Sequence, residues 1–245
     1  MRIIISPAKE MKENDALPWQ DLPVYLDKTK RIRQWLQSLT FEEAKELWRC
    51  NDKLARDNYE RLRNMDIERR LSPAILSYDG IQYQYMAPAV FETEMLAYTQ
   101  EHLRILSGFY GVVRPMDGVT PYRLEMQAET FIDHIKGLYD FWGNALYDAV
   151  VDDSHIIVNL ASKEYSKCIE PYLQPEDRFV TCIFGEEVNG KVVQKGVYAK
   201  MARGEMVRFM AEQQIDDVED LKQFCGLSYQ FREDLSTENK LVFIK

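Results

Sequence analysis

The sequence predicts an α/β fold of mixed α+β character: a single domain, residues 1–245, with a mixed sheet flanked by helices. Three observations carry this. Arg2 to Ser6 is a short β-rich run at the start of the chain. His155 to Leu160 is an unbroken apolar run suited to a buried, parallel strand. Around them lie stretches whose apolar residues recur at helical spacing, with no internal repeats, low-complexity tracts or long linkers.

The chain has 245 residues, of which 46% are hydrophobic. Its mean hydropathy of −0.40 fits a water-soluble globular protein. A core of this size needs no disulfide or metal to stabilise it. No apolar run approaches the length of a membrane span, and the start reads as a first strand, not a signal peptide. A cytoplasmic, monomeric protein without membrane contact is expected. Cys50, Cys168, Cys182 and Cys225 are scattered, with no C-x-x-C pair, and His102, His134 and His155 have no ligand spacing. Reduced thiols, no metal site and no cofactor are therefore expected.

Net charge is −9, which argues against a polycation that wraps nucleic acid without specificity. The acidity is concentrated: residues 71–160 carry 4 basic and 12 acidic residues. Three of those four cations, Arg104, Arg114 and Arg123, lie in one punctuated stretch, Leu103 to Met126. An acidic protein still binds an anion where its cations converge, because salt screens charges beyond about 10 Å.

In chain order, Arg2 to Ser6 is the first strand, and Ser6-Pro7-Ala8-Lys9 follows its carboxyl end, where α/β proteins place ligands. Taken singly, Pro7 as a turn and Lys9 as a solvated lysine account for these residues. Residues 10–25 form a loop. Leu26 to Leu39 is a helix with Ile32, Trp35, Leu36 and Leu39 on one face and Lys28, Lys30, Arg31 and Arg33 on the other. Thr40 and Glu43 make a capping box for the next helix. Asn51 or Asp52 caps a third, carrying Leu54, Tyr59 and Leu62. Ala74 to Tyr78 is expected as a strand, followed by a polar-aromatic loop with Gln82, Tyr83 and Tyr85. A helix over 91–101 feeds the strand Leu103–Leu106.

Glycines at 108 and 111 then steer the backbone, as close-approach points for a phosphate or another chain segment. The aromatic spacing of Phe131, Ile135, Leu138, Phe141, Trp142 and Leu146 predicts one helix from Phe131 to Val151, packed in the core. After the strand His155–Leu160, Ser162 is a natural N-cap, so that strand, loop and helix start make an anion site by geometry. Phe179 to Phe184 is a strand; Asn189-Gly190 is a hairpin turn; Val192 to Tyr198 returns as its partner. Lys200 and Arg203 share a face on the first turn of the helix that follows, where cations oppose the helix dipole and so answer to a carboxylate or an anionic ligand. Asp216 and Glu219 cap a last helix ending near Cys225, and Leu241 to Ile244 closes as a strand.

Four segments thus place small polar or basic residues after a strand: Ser6–Lys9, Arg114–Arg123, Asn159–Ser162 and Lys200–Gly204. If their strands share a sheet, Lys9, Arg114, Arg123, Lys200 and Arg203 meet in a phosphate-binding cleft. These same segments carry a resemblance. Ile-Ile-Ser-Pro-Ala-Lys, Leu-Ser-Gly-Phe-Tyr-Gly-Val-Val-Arg-Pro-Met-Asp, Pro-Tyr-Arg-Leu-Glu-Met, Asn-Leu-Ala-Ser-Lys-Glu-Tyr and Ala-Lys-Met-Ala-Arg-Gly-Glu-Met resemble the YaaA-like peroxide stress proteins, in order along the whole chain.

The resemblance implies a cytoplasmic bacterial protein of oxidative-stress defence that limits damage from intracellular iron. It also implies a basic cleft, a helix-hairpin-helix-like element and binding to double-stranded DNA. The matching positions are Ser6, Lys9, Arg114, Tyr122, Arg123, Asn159, Ser162, Lys200 and Arg203; the hairpin element is placed at Gly108 to Arg114.

Two functional readings follow. In the first, Lys9, Arg114, Arg123, Asn159, Ser162, Lys200 and Arg203 hold duplex DNA by its phosphates without reading base sequence. In the alternative, the same cleft is the site of an enzyme on a phosphorylated or nucleotide-like small molecule. Ser6, Lys9, Tyr122 and Lys200 are then its catalytic candidates, a desolvated lysine beside another cation serving as base or nucleophile. Direct iron sequestration needs clustered carboxylate, His or Cys ligands, and the sequence has none at ligand spacing.

Overall fold

A computed structural model describes all 245 residues. In chain order the strands are β1 (Arg2–Ile5), β2 (Glu10–Met11), β3 (Ser72–Pro73), β4 (Tyr78–Asp79), β5 (Leu103–Ser107), β6 (Gly111–Val113), β7 (Gly118–Val119), β8 (Phe131–Ile132), β9 (Ile135–Lys136), β10 (Ile156–Leu160), β11 (Arg178–Val188), β12 (Lys191–Val193), β13 (Gln230–Phe231) and β14 (Lys240–Ile244). The helices are α1 (Leu26–Ser38), α2 (Phe41–Trp48), α3 (Asp52–Asn64), α4 (Ala74–Ser77), α5 (Ile81–Met86), α6 (Thr93–His102), α7 (Leu138–Trp142), α8 (Ala145–Val150), α9 (Lys163–Ser166) and α10 (Gly196–Gln213).

The main sheet runs β13-β14-β11-β10-β1-β5-β6, with β12 paired to the end of β11. Its five central strands are parallel, and β6 and β13 pair antiparallel at the two edges. Ile3, Ile4 and Ile5 of β1 are all fully buried, so the central strand is covered on both faces. One contiguous cluster of buried apolar side chains extends from Met1 to Phe243, which makes the chain one domain.

β1 is the topological pivot. It pairs with β5 on one side and β10 on the other, so the chain leaves it in one direction and later returns on the opposite flank. In open α/β sheets such a switch point opens a crevice at the carboxyl ends of the strands.

Local signals placed several elements correctly. The capping box closes as expected: the Glu43 amide donates to Thr40 Oγ1 at 3.3 Å, and the Thr40 amide to Glu43 Oε2 at 2.8 Å. Asn51 caps α3, accepting from the Leu54 amide at 3.0 Å. Asn189-Gly190 turns β11 into β12, but that pairing ends at Val193 because α10 begins at Gly196.

Other elements differ from expectation. Ala74–Ser77 is a single helical turn, pinned by the Ala74 and Ile75 amides donating to the carbonyls of Asp117 and Pro115. Phe131–Val151 is not one helix. Asp133 and His134 both adopt left-handed backbone and fold β8 against β9, and two short helices follow. Gln82 and Tyr83 lie on a helix, α5, not a loop. The helix expected to end near Cys225 is a 3-10 segment, Val218–Gln223, capped by Asp217 and not by Asp216.

The stretch Gly108 to Arg114 is a β-hairpin, not a helix-hairpin-helix element. Ser107 Oγ accepts from the Phe109 and Tyr110 amides at 3.2 and 2.8 Å, which closes the turn. Gly108 is needed for a close approach, but to protein: a Cβ there would lie 2.6 Å from the Leu124 carbonyl oxygen. The tight three-residue link between two consecutive helices lies elsewhere, at Arg49-Cys50-Asn51 between α2 and α3.

Helix α10 packs on α5 so closely that a Cβ on Gly204 would lie 2.0 Å from the Gln82 carbonyl oxygen. Gly204→Ala should therefore force the two helices apart and cost about 3 kcal/mol, read as a lower denaturant midpoint at unchanged m-value.

Asp117 straps the Arg114 turn, accepting from the Arg114 amide at 2.8 Å and from its Nε at 3.2 Å. Burial pushes the Asp117 carboxyl up to about 6, although these bonds pull the other way. A folded pKa above the unfolded value of about 3.9 means that this group's contribution is full below pH ~4 and is lost as pH rises through ~6. The stability difference between the native chain and Asp117→Asn should change with that pH window; a flat difference from pH 4 to 7 would contradict it.

Candidate functional site

The crevice predicted by the strand order is present. A cavity of about 510 Å³ opens beyond the carboxyl ends of β1 and β10, walled by α5, the Tyr122–Glu125 segment and the first half of α10. Ser6, Lys9, Tyr122, Arg123, Ser162, Lys200 and Arg203 all line it. Residues from five separated parts of the chain thus converge on one pocket.

The floor is a serine pair. The Ser6 hydroxyl accepts from the Ser162 amide at 2.8 Å and donates to Ser162 Oγ at 3.2 Å. Tyr83 OH donates to the Ser6 carbonyl at 3.0 Å, which ties α5 to the loop after β1. The hydrogen-bond partners of these two hydroxyls are each other and the Ser162 amide, so the pair holds two polar groups at the cavity floor. Helix α9 is only one turn long, and the Ser162 side chain makes no capping bond.

One wall is aromatic. Tyr122 OH is 2.7 Å from Ser107 Oγ and 3.0 Å from Tyr78 OH, and its ring stacks on Phe109 at 4.9 Å. Burial pushes the Tyr122 phenol up to about 12, so it stays protonated at neutral pH.

The charges are mixed, which corrects the expectation of a basic cleft. Lys9, Arg123, Lys200 and Arg203 face Glu10, Asp79, Glu125 and Glu164 in the same lining. Glu125 Oε1 lies 2.8 Å from Lys9 Nζ and 3.9 Å from Arg123 Nη2. Burial, with Glu125 nearby, raises the Glu164 carboxyl above its ordinary value. The two lysines are exposed, Lys9 at 64% of its side chain, so neither is the desolvated base of the enzyme reading.

The two arginines differ. The Arg123 side chain is only 9% exposed. Arg203 has no ion-pair partner, and burial depresses its guanidinium. Both have a buried Nε without any acceptor, and Gln82 Nε2 beside them has none either. Buried donors left unpaired cost about 1–3 kcal/mol each; these three atoms are closed to solvent as well as lacking protein acceptors.

Two expected residues lie elsewhere. Because β6 runs antiparallel to β5, Arg114 emerges at the amino edge of the sheet, opposite the cleft. There it pairs with Asp21 at 2.7 Å and Asp117 at 3.2 Å. Asn159 faces inward from β10, accepting from the Ala161 amide at 2.9 Å and donating to Thr181 Oγ1 at 3.2 Å; it shapes the loop to Ser162 and does not line the cavity. Lys200 and Arg203 lie beyond the first turn of α10, which starts at Gly196, so the helix dipole is a weaker argument for them. The basic faces of α1 and α3 are occupied by protein: Lys28 by carbonyls of α7, Lys30 by Glu68, Arg31 by Asp133, and Arg56 and Arg63 by aromatic rings. The acids Glu125 and Glu164 were not among the sequence candidates, whereas Gln82 and Tyr83, expected in a polar-aromatic loop of the kind that lines a site, do line the cavity, from α5.

The family model for peroxide stress protein YaaA matches residues 1–235. The chain belongs to that family. A UPF0246 protein of Agathobacter rectalis is 57% identical over 244 residues, covering 99% of this chain and 98% of the relative. One from Lachnoclostridium phytofermentans is 56% identical over 246 residues (100% and 96%), and one from Ligilactobacillus salivarius is 48% identical over 246 residues, with both chains covered in full. Membership in the YaaA family supports a general role in the stress response. No helix of the protein is long and apolar enough to cross a membrane.

Tyr122→Phe should keep the cavity's shape but leave Ser107 and Tyr78 each one partner short. A loss of about 1–2 kcal/mol in unfolding free energy is expected, measured by denaturant titration. An unchanged midpoint would show that water replaces the phenol.

Proposed function

We propose that this YaaA-family protein serves peroxide-stress defence by binding a small anionic ligand, phosphorylated or nucleotide-like, in the cleft at the β1 switch point. The observation that carries this reading is convergence: Ser6, Lys9, Arg123, Ser162, Lys200 and Arg203, from distant parts of the chain, line one cavity. A ligand supplying phosphate oxygens suits cations and hydroxyls gathered in this way. The cavity volume of about 510 Å³ falls in the range of small-molecule sites and is lined by convergent polar groups and aromatic rings. The cleft acids favour a ligand that also carries donors, such as an amine or a base edge, over a bare polyanion.

Double-stranded DNA is the second reading, and one observation favours it. A second cavity shares Lys9, Arg123 and Glu125 with the cleft and continues to Trp48 and Arg49, at the tight link between α2 and α3. That helix pair is where a helix-hairpin-helix-like contact to phosphates fits, with Lys9 and Arg123 next along the groove. In this reading the protein limits iron-driven damage by occupying the duplex. Phosphate contacts of this kind make any such binding steeply salt-dependent, and the net charge of −9 opposes it at long range.

The readings separate in two measurements. A thermal-shift panel of nucleotides and phosphorylated metabolites should give at least one saturable stabiliser, weakened about tenfold by Lys200→Ala. Gel retardation of duplex DNA at low salt, lost on Arg49→Glu but kept by Lys200→Ala, would favour DNA instead. Neither stabilisation nor retardation would overturn both.

A further inference from the structure

The residue most clearly set aside by the cleft is Arg114, and its surroundings form a second site. At the amino edge of the sheet, a groove of about 620 Å³ runs along one face of α6 and ends between Arg2, Arg104 and Arg114. Its lining holds three arginines and one acid, Glu101. Two of the three arginines have acidic partners just outside this lining, which leaves Arg104 as the one without an ion pair.

The three guanidiniums are not equally neutralised. Arg2 pairs with Asp152 at 3.2 Å through Nε, and Arg114 pairs with Asp21 and Asp117. Arg104 has no carboxylate within ion-pair distance. Its Nη1 donates to the carbonyls of Gln100, Glu101 and Leu103 at 3.3, 3.0 and 2.8 Å, which fixes its plane at the end of α6, while Nε and Nη2 have no protein acceptor. Burial, with Arg2 and Arg114 alongside, lowers the Arg104 guanidinium to about 10. Asp117 and Asp152 act the other way but are paired with those two neighbours, so a half-buried cation crowded by two like charges gains from an added anion.

We propose that this groove binds a phosphate group of a small molecule, held by Arg104 and flanked by Arg2 and Arg114. The planar fork of arginine matches phosphate oxygens in pairs, and such bonds are about twice as strong as neutral ones. The groove continues from the arginines past Gln100 and Ala97 to Thr93, with Gln20 opposite, so it has room for the remainder of a ligand. The site faces away from the cleft and shares no residue with it.

The probes are inorganic phosphate and pyrophosphate at constant ionic strength, followed by amide NMR of the full chain. Saturable shifts are expected in residues 93–104 and at Arg114. Arg104→Gln should weaken the affinity for pyrophosphate at least tenfold. Ala97→Glu puts a carboxylate at an exposed position of the groove, and should do the same without touching the core; it decides the matter if Arg104→Gln does not fold. Lys200→Ala, at the opposite edge, should leave these shifts intact. No saturable shift in residues 93–104, or an affinity that survives Ala97→Glu, would overturn the proposal. Shifts confined to the residues around Ser6 and Ser162 would also overturn it, while supporting the cleft as an anion site.

Discussion

The arrangement depends on β1 being buried on both faces between two parallel neighbours. A strand of four residues, Arg2–Ile5, with three consecutive isoleucines fully buried, leaves its loop no choice but to emerge at the carboxyl edge of the sheet. The neighbouring strand β10 delivers Ser162 to the same edge, two residues beyond Leu160, which pairs with Ile5. The Ser162 amide then donates to Ser6 Oγ, and Tyr83 holds the Ser6 carbonyl from α5. These bonds join two loops and a helix where the sheet itself has ended, and the cavity is the space they fail to fill. Helix α10 completes it because Gly204 lets α10 lie against the backbone of α5 and so brings Lys200 and Arg203 over the opening.

Charge in this cavity follows desolvation more than net sign. Lys9 and Glu125 form a partly exposed pair whose stabilisation is small, since solvent screens it. Arg203 is different in kind: burial acts against its charge and no acid compensates. Removing it from water costs free energy that no ion pair returns, so Arg203 is not placed on the cavity wall by charge pairing. The same reasoning separates Arg104 from Arg114 at the other edge. Arg114 is consumed by Asp21 and Asp117 and holds a turn; Arg104 keeps two donors free.

How much of this could be read from the chain depends on how local each signal is. The Thr40–Glu43 capping box, the Asn189-Gly190 turn and the buried runs of β1 and β10 are each written within a few residues, and each is where it was expected. The helix expected over Phe131–Val151 failed because an aromatic spacing compatible with a helix is also compatible with a hairpin followed by two short helices. The left-handed turn at Asp133-His134 decided between them. The cleft was legible in part: seven expected residues meet there. Its acids were not, because Glu125 and Glu164 belong to the site only through the meeting of distant loops.

Arg114 shows the sharper limit. Its segment was right, its punctuation was right, and its glycine was correctly read as a close approach. What could not be read was direction. A turn of three residues at Gly108 reverses the strand, and one reversal moves a side chain from the carboxyl edge of a sheet to the amino edge. Gly108 is close to Leu124, not to a phosphate, so the hairpin's tightness serves to seat the Tyr122–Glu125 segment on the cleft. The stretch therefore serves both edges at once. Its hairpin braces Tyr122 and Arg123 against the cavity at one end, and at the other it delivers Arg114 beside Arg104. A sheet with strands of both directions at its edge can in this way supply two cation-lined recesses from one continuous motif.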